Sequence, residues 1–264
     1  MIKPKKSLGQ NFLVDKNIIK KIVSLASYKN FHNIEIGPGT GNLSEEIIKN
    51  NKPRKLSLIE KDKKLCELLE KKFKNKVKIY NSDIHKFNLE EIVDKDTIIF
   101  GNLPYNISTQ VLIKLIKFKY WPPKFKKAVL MFQKEVAERI IAKPNSKDYG
   151  RLSIISKWRF NITKSIIVSK NCFYPRPKVQ STVLIFEPKK VKNFKIQNID
   201  NLEKITNVFF TGKRKMINKA FKKLFGKNES FLKKINLSSS LRPNQITEEQ
   251  FYRITEFFEK RNIN

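Results

Sequence analysis

The sequence predicts an α/β fold: a mostly parallel β-sheet with helices on both faces, followed by a small helical domain. Three observations carry this. Strand-like and helix-like segments alternate through the first two-thirds of the 264 residues, and such alternation specifies a parallel sheet covered by crossover helices. A glycine-rich turn, Gly37-Pro38-Gly39-Thr40-Gly41, sits where one strand-like segment gives way to a helix-like one. Beyond Pro188 the strand-like runs stop and helical periodicity takes over, which divides the chain into domains at 1–188 and 189–264.

In chain order, Ile18, Ile19, Ile22, Val23 and Ala26 recur at helical spacing, with Asp15 ahead of them as a candidate N-cap. Residues 32–36 form a short strand ending at the glycines, and 42–48 the helix after them. A strand over 55–59 leads to a helix over 62–73 with Leu65, Leu68 and Leu69 on its apolar side. Short strands follow at 77–80 and 97–100, a helix at 108–116, a strand at 128–132 and a helix at 134–141. Two later β-rich runs, 160–168 and 181–186, suit antiparallel edge strands. In the C-terminal region Ile205, Val208 and Phe209, then Met216, Ile217, Ala220, Phe221 and Leu224, repeat with helical spacing. Thr247-Glu248-Glu249-Gln250 reads as a capping box opening a last helix through Phe251, Ile254, Phe257 and Phe258.

Composition narrows the function classes. With 40% hydrophobic residues the chain can bury a sizeable core. No run approaches the roughly 20 apolar residues that cross a bilayer. The basic start, Met1-Ile2-Lys3-Pro4-Lys5-Lys6, has no apolar region behind it, so no secretory signal is expected. Cys66 and Cys172 form no C-x-x-C, so neither a metal site nor a disulfide is expected, and two thiols suit a reducing cytoplasm. His32 and His85 sit in no nucleophile or metal constellation. Lys and Arg total 56 against 24 Asp and Glu, a net charge of +32, and a field of that sign favours a polyanionic partner. Coding bias toward Lys, Asn and Ile inflates lysine without explaining the scarcity of acids. Over 204–234 there are ten basic residues and one acid, Glu229. A helix running from Arg214 would put Lys215, Lys219, Lys222 and Lys223 on one face. A solvated face reads the same way; the scarcity of acids favours one that meets RNA.

The glycine turn is G-x-G-x-G. The third glycine of the dinucleotide fingerprint would fall at Asn42, so a pyrophosphate site is disfavoured. Gly37 and Gly39 let the backbone approach a ligand closely. Glu60 ends the next strand, about 20 residues on, where an acid accepts from ribose hydroxyls. Asp83 follows the third strand, where an acid accepts from an adenine amino group. Each acid alone would serve equally as a cap or a loop residue. In order along the carboxyl ends of successive strands they describe a pocket for a nucleoside without phosphate, and S-adenosylmethionine is such a ligand.

Gly101-Asn102-Leu103-Pro104-Tyr105 follows the fourth strand. Adenine N6 is a poor nucleophile because its lone pair is delocalised. Acceptors that hold its N–H bonds while the nitrogen pyramidalises help most. The Asn102 side-chain oxygen and the Leu103 carbonyl suit this task, Pro104 stiffens the turn and Tyr105 offers a stacking face. A plain polar β-turn has the same composition. Phe173-Tyr174-Pro175-Arg176-Pro177-Lys178-Val179 is a proline-stiffened loop whose Phe173 either closes the other face of a base or belongs to the core.

These motifs together resemble the ribosomal RNA adenine dimethyltransferase family, most closely its bacterial small-subunit type, over nearly the whole chain. Ser7-Leu8-Gly9-Gln10-Asn11-Phe12-Leu13 is similar to the family's N-terminal cofactor-covering motif. Residues 35–41, Glu60, Asp83 and 102–105 match its core motifs, as do 133–139 and 149–153, and 173–183 matches its target-side loop. The resemblance implies a Rossmann-like methyltransferase domain that uses S-adenosylmethionine and needs no metal or membrane. It implies successive N6 methylation of two adjacent adenosines in a hairpin loop near the 3′ end of 16S rRNA, within the assembling small subunit, by a monomer. It assigns Asn11, Leu13, Gly37, Glu60, Asp83 and Asn102 to the cofactor, and Asn102, Leu103, Tyr105 and Phe173 to the target base. The large-subunit enzymes of macrolide resistance share the core motifs. Residues 210–220 and 242–251 resemble the small-subunit branch, with Gly212-Lys213 departing from its commoner Arg-rich pair. A non-catalytic RNA-binding assembly factor would have no need of Glu60, Asp83 and Asn102, and DNA adenine methyltransferases usually carry Asp at the Asn102 position.

Overall fold

The alternation resolves, in a computed structural model that describes residues 4–5, 9–190, 194–226 and 229–261, with the backbone alone at Tyr105, Asn106 and Glu229, into nine strands and eleven α-helices. The chain runs β1 (Phe12–Leu13), α1 (Lys16–Ser24), β2 (His32–Ile36), α2 (Asn42–Asn51), β3 (Lys55–Glu60), α3 (Lys63–Phe73), β4 (Lys78–Asn81), α4 (Leu89–Ile92), β5 (Thr97–Gly101) and α5 (Tyr105–Ile116). It continues through β6 (Phe125–Gln133), α6 (Lys134–Ile141), α7 (Arg151–Arg159), β7 (Phe160–Val168), β8 (Phe173–Tyr174) and β9 (Ser181–Pro188). The remaining helices are α8 (Ile199–Phe210), α9 (Asn218–Phe225), α10 (Glu229–Lys234) and α11 (Glu248–Arg261).

Seven strands share one sheet in the order β4-β3-β2-β5-β6-β9-β7. The pairs β2–β3, β2–β5, β3–β4 and β5–β6 are parallel, and β9 joins β6 antiparallel. Every residue of β2 and β5 is buried, as expected where helices cover both faces of a parallel sheet. The chain builds β2, β3 and β4 outward in one direction, then returns to place β5 on the other side of β2. The loops leaving β2 and β5 therefore diverge, and the crevice between them is the place where open α/β sheets bind ligands. Asp15 caps α1 as its sequence position requires, accepting from the Asn17 and Ile18 N–H groups at 2.9 and 3.0 Å.

Two compact units result, one comprising residues up to Ala137 with Asn161–Pro188, the other Glu138–Phe160 with the chain from Lys189 onward. The sequence division at 188/189 thus coincides with one junction, but 138–160, assigned by sequence to the sheet domain, packs with the C-terminal helices. The cause is α7, which buries Ile154, Ile155 and Trp158 and accepts a hydrogen bond from the Tyr252 hydroxyl at the Ile154 carbonyl, 2.8 Å. The second unit is otherwise an aromatic-rich helical core: Phe209 and Phe210 pack on Phe251, and Phe225 on Phe221, Phe257 and Phe258. The predicted capping box forms, with the Gln250 N–H donating to Thr247 Oγ1 at 3.2 Å and the Thr247 N–H to Gln250 Oε1 at 3.0 Å. The helix expected from Arg214 instead begins at Asn218. Lys215 is held in a turn by its N–H bond to the Gly212 carbonyl, and the Ile217 N–H is spent on Leu241. Arg214 and Lys215 therefore precede the helix that carries Lys219, Lys222 and Lys223.

Candidate active site

Backbone geometry at the sheet's carboxyl edge builds a cavity of about 230 Å³. Its floor is the glycine turn. Gly37 and Gly39 take φ values of +68° and +57°, which only glycine adopts cheaply. A Cβ on Gly37 would stand 3.3 Å from Leu103 Cδ2, and one on Gly39 would stand 2.8 Å from Phe12 Cδ1. The missing Cβ atoms let the Leu103 and Phe12 side chains pack directly on the turn. The short β1–β8 pairing sets Leu13 opposite Phe173, and Asn42 donates to the Leu13 carbonyl at 2.9 Å, so residues 9–13 form one wall.

Glu60 ends β3, is 8% exposed and lines the cavity. Its Oε2 accepts from the Gly39 N–H at 3.2 Å and its Oε1 from the Asp62 N–H at 2.9 Å, leaving a further lone pair on each oxygen for hydroxyl donors. Burial pushes its carboxyl above the usual range against those N–H groups. Asp83 lies in the turn after β4. Lys61 Nζ, at 2.8 Å, and the His85 N–H, at 3.0 Å, bind its two oxygens and hold its carboxyl below the usual range. Across the crevice, Asn102 and Leu103 follow β5 and line the cavity. Among the described residues the Asn102 side chain has no hydrogen-bond partner, while Leu103 is buried against Gly37 and Gly101.

Two carboxylates, Glu60 and Asp83, line the cavity with the buried acid Glu35 behind them, and Lys61 is the single Lys or Arg among the described residues that line it. Acids inside so basic a chain repel phosphate and attract cationic or hydroxyl-bearing ligands. The free acceptors of Glu60, the glycine cradle and the apolar walls of Ile59, Leu65, Ile84, Pro104 and Ile107 fit S-adenosylmethionine, a sulfonium nucleoside.

The cavity thus gathers Asn11, Leu13, Gly37, Gly39, Glu60, Asp83, Asn102, Leu103 and Phe173. Phe173 belongs to the hydrophobic core, at 5% exposed, and it also lines the cavity. Tyr105 opens α5; its side chain lies outside the described residues, as do Ser7 and Leu8 of the N-terminal motif. Arg214, Lys215, Lys219, Lys222 and Lys223 belong to the other unit, are all exposed, and make no ion pair among the described residues.

Sequence reasoning missed three participants. Glu35 was read only as part of the glycine motif. It is fully buried, accepts from the Ser44 hydroxyl, and burial pushes its carboxyl up to about 7 against that bond. Asp62 was read as a helix residue. It caps α3 through the Lys64 N–H at 3.0 Å and ties the N-terminal wall through Lys5 Nζ at 2.8 Å and Gln10 Nε2 at 3.3 Å. Burial opposes its ionisation, but those bonds prevail and keep the carboxyl low. His85 was given no role and lines the cavity. The signal for the Asp62 cap is an Asp standing immediately before the apolar helix. Among the described residues no cluster of His, Cys, Asp and Glu is arranged to hold a metal, and no helix is long and apolar enough to cross a membrane.

The chain matches the family described as Ribosomal RNA adenine dimethylase over residues 1–260. It is 44% identical to Ribosomal RNA small subunit methyltransferase A of Pelagibacter ubique (strain HTCC1062), with 98% of each chain covered. It is 41% identical to the protein of that name from Wolbachia sp. subsp. Drosophila simulans (strain wRi), covering 95% of this chain and 92% of the other. A dimethyladenosine transferase from Plasmodium falciparum superposes with a TM-score of 0.79 at 27% identity, covering 95% of this chain and 98% of that one. The 23S rRNA methyltransferase ErmE shares the fold, with a TM-score of 0.70 at 21% identity over 94% of this chain and 99% of the other.

Proposed function

This chain belongs to the ribosomal RNA adenine dimethylase family, and on that premise we propose that it dimethylates N6 of two adjacent adenosines in a hairpin loop near the 3′ end of 16S rRNA, in the assembling small subunit. It does so as a cytoplasmic monomer without a metal. The observation that carries the reading is the set of acceptors on four successive strand ends around one cavity: the glycine turn, Glu60, Asp83 and Asn102.

S-adenosylmethionine supplies an electrophilic methyl on sulfur. Glu60 accepts the ribose hydroxyls through the oxygen lone pairs that Gly39 and Asp62 leave free. Asp83, oriented by Lys61 and His85, accepts from the adenine amino group. Asn11 and Leu13 cover the site from β1, and Gly37 gives the backbone a close approach. Asn102 Oδ1 and the Leu103 carbonyl would accept the N–H bonds of the target N6 and hold the nitrogen as it pyramidalises, and the proton that N6 gives up at each methylation would pass to solvent. One acceptor suffices for a monomethylated amine, which permits the second transfer. Tyr105 and Phe173 stack on the target base, while Arg214, Lys215, Lys219, Lys222 and Lys223 meet RNA phosphates.

The test is methyl transfer from labelled cofactor to protein-depleted and to partly assembled small subunits, followed by nucleoside identification. N6,N6-dimethyladenosine appearing preferentially in the partly assembled particles is the expected outcome. Label in large-subunit RNA instead, or a product that stops at the monomethyl stage with excess cofactor, would overturn the reading.

A further inference from the structure

The β1–β8 pair carries a second surface outside the cavity. Phe12 pairs with Tyr174 and Leu13 with Phe173, and the Val14 N–H extends the ladder to the Cys172 carbonyl at 2.9 Å. Strand alternation turns Leu13 and Phe173 inward and leaves Phe12, Tyr174 and Val14 on the opposite face. Phe12 lines the cavity. Tyr174, directly across from it, is 60% exposed, and Val14 is 47% exposed. Val179, on the loop after Tyr174, is exposed as well. Three of the six large hydrophobic side chains exposed among the described residues therefore gather on this pair of strands and its loop. Arg176 and Lys178 are exposed beside them, and 173–181 contains no acid.

We propose that Tyr174 is a stacking platform for an unpaired RNA nucleotide adjacent to the target adenosine, with Arg176 and Lys178 holding the neighbouring phosphates. The inference rests on the reading of the target as RNA. An exposed aromatic face next to exposed cations is the combination that binds single-stranded nucleic acid without regard to base. The surface is continuous with the cavity through Phe12, so a strand whose target base enters the cavity runs its neighbour across Tyr174. Two cations within a three-residue step, which lie in a loop without acids and make no ion pair among the described residues, suit a phosphate backbone rather than an apolar protein face.

Full-length wild type, Tyr174→Ala and Tyr174→Phe separate the outcomes. One assay is steady-state methyl transfer to partly assembled small subunits. The other is fluorescence of a hairpin RNA with 2-aminopurine at the unpaired position beside the target, which stacking quenches. Tyr174→Ala is expected to lose the quenching and about five- to a hundredfold in kcat/KM, mainly through KM. Tyr174→Phe should keep both, and calorimetric affinity for S-adenosylmethionine should be the same in all three. Quenching and kcat/KM in Tyr174→Ala within twofold of an active wild type overturn the platform and spare the functional reading. A wild type that neither transfers methyl nor quenches the probe overturns both.

Discussion

Glu60 and Asn102 line one cavity but serve different atoms, and their variants should separate accordingly. Glu60→Ala removes charge-assisted acceptors for two hydroxyls, a loss on the order of 1.5–3 kcal/mol in cofactor binding. Calorimetric titration with S-adenosylmethionine reads it directly, and an unchanged affinity in a folded variant removes Glu60 from the cofactor site. Asn102→Ala should leave RNA affinity nearly intact, because phosphate contacts dominate that affinity, while single-turnover transfer falls by about 10²–10³; robust turnover contradicts the role given to Asn102. Glu35 governs a pH effect instead. Its carboxyl titrates at 4.5 when unperturbed and at about 7 in the folded chain, chiefly through burial. Between those values the folded state retains a proton that the unfolded state has released. The associated stability is fully present below about 4.5 and is lost as pH rises through about 7, on the order of 3 kcal/mol. Glu35→Gln keeps an acceptor for Ser44 and cannot ionise. Urea unfolding of the cofactor-free protein at pH 5 and pH 7 should show wild type losing stability relative to the variant, and parallel pH slopes would contradict the buried-acid account.

At the level of elements, the glycine turn and β1 depend on one another. The Phe12 ring occupies the space that a Gly39 Cβ would need, at 2.8 Å. Gly39→Ala must both hold a left-handed φ, at roughly 1–2 kcal/mol, and displace that ring from the cavity wall. The backbone cost falls on stability, while the displaced Phe12 ring distorts the wall and should lower cofactor affinity by about tenfold, a cost of about 1.4 kcal/mol. Gly226→Ala is the control: its φ is +67° and nothing lies within 4 Å of the added methyl, so thermal unfolding should show a backbone cost with cofactor affinity unchanged. Equal affinity in Gly39→Ala and wild type would mean that Phe12 yields freely. Which elements sequence could reveal follows from the same packing logic. Strand β5 reads as a near-continuous apolar run, Ile98-Ile99-Phe100, whereas β2 and β3 interleave polar residues and are marked in the sequence by the glycine turn and by Glu60 at their ends. Helix α7 carries no such mark, because Ser153, Ile154, Ile155, Ser156, Trp158 and Arg159 are buried around its whole circumference and no apolar stripe remains. The two-residue strands β1 and β8 are too short for periodicity and exist through pairing across 159 intervening positions, from 13 to 173. The start of α9 was misplaced because a tertiary bond from Ile217 to Leu241 overrides local helix propensity.

Over the whole molecule the charge has two signs in two places. The chain carries +32, yet the cavity presents Glu60 and Asp83 against Lys61. Affinity for RNA and affinity for cofactor should therefore respond differently to salt. Each phosphate that meets a lysine or arginine releases condensed counterions, so log affinity for RNA falls linearly with log salt, by roughly 0.7–0.9 per contact. Cofactor binding, resting on hydrogen bonds within a sheltered cavity, is screened far less. Charge reversal of Lys215, Lys219 and Lys223 to Glu tests the cationic face of the second unit. These side chains are exposed and make no ion pair among the described residues, so reversal breaks no internal bridge and should leave the melting transition nearly unchanged. If all three meet phosphate, the slope should flatten by about 2–3. RNA affinity near physiological salt should fall steeply, and calorimetric affinity for S-adenosylmethionine should hold. Fluorescence anisotropy of a small-subunit RNA hairpin across a salt series measures the slope. A triple variant with the wild-type slope places the phosphate contacts elsewhere on the chain, and a wild type whose RNA affinity is flat with salt removes the electrostatic account of binding altogether.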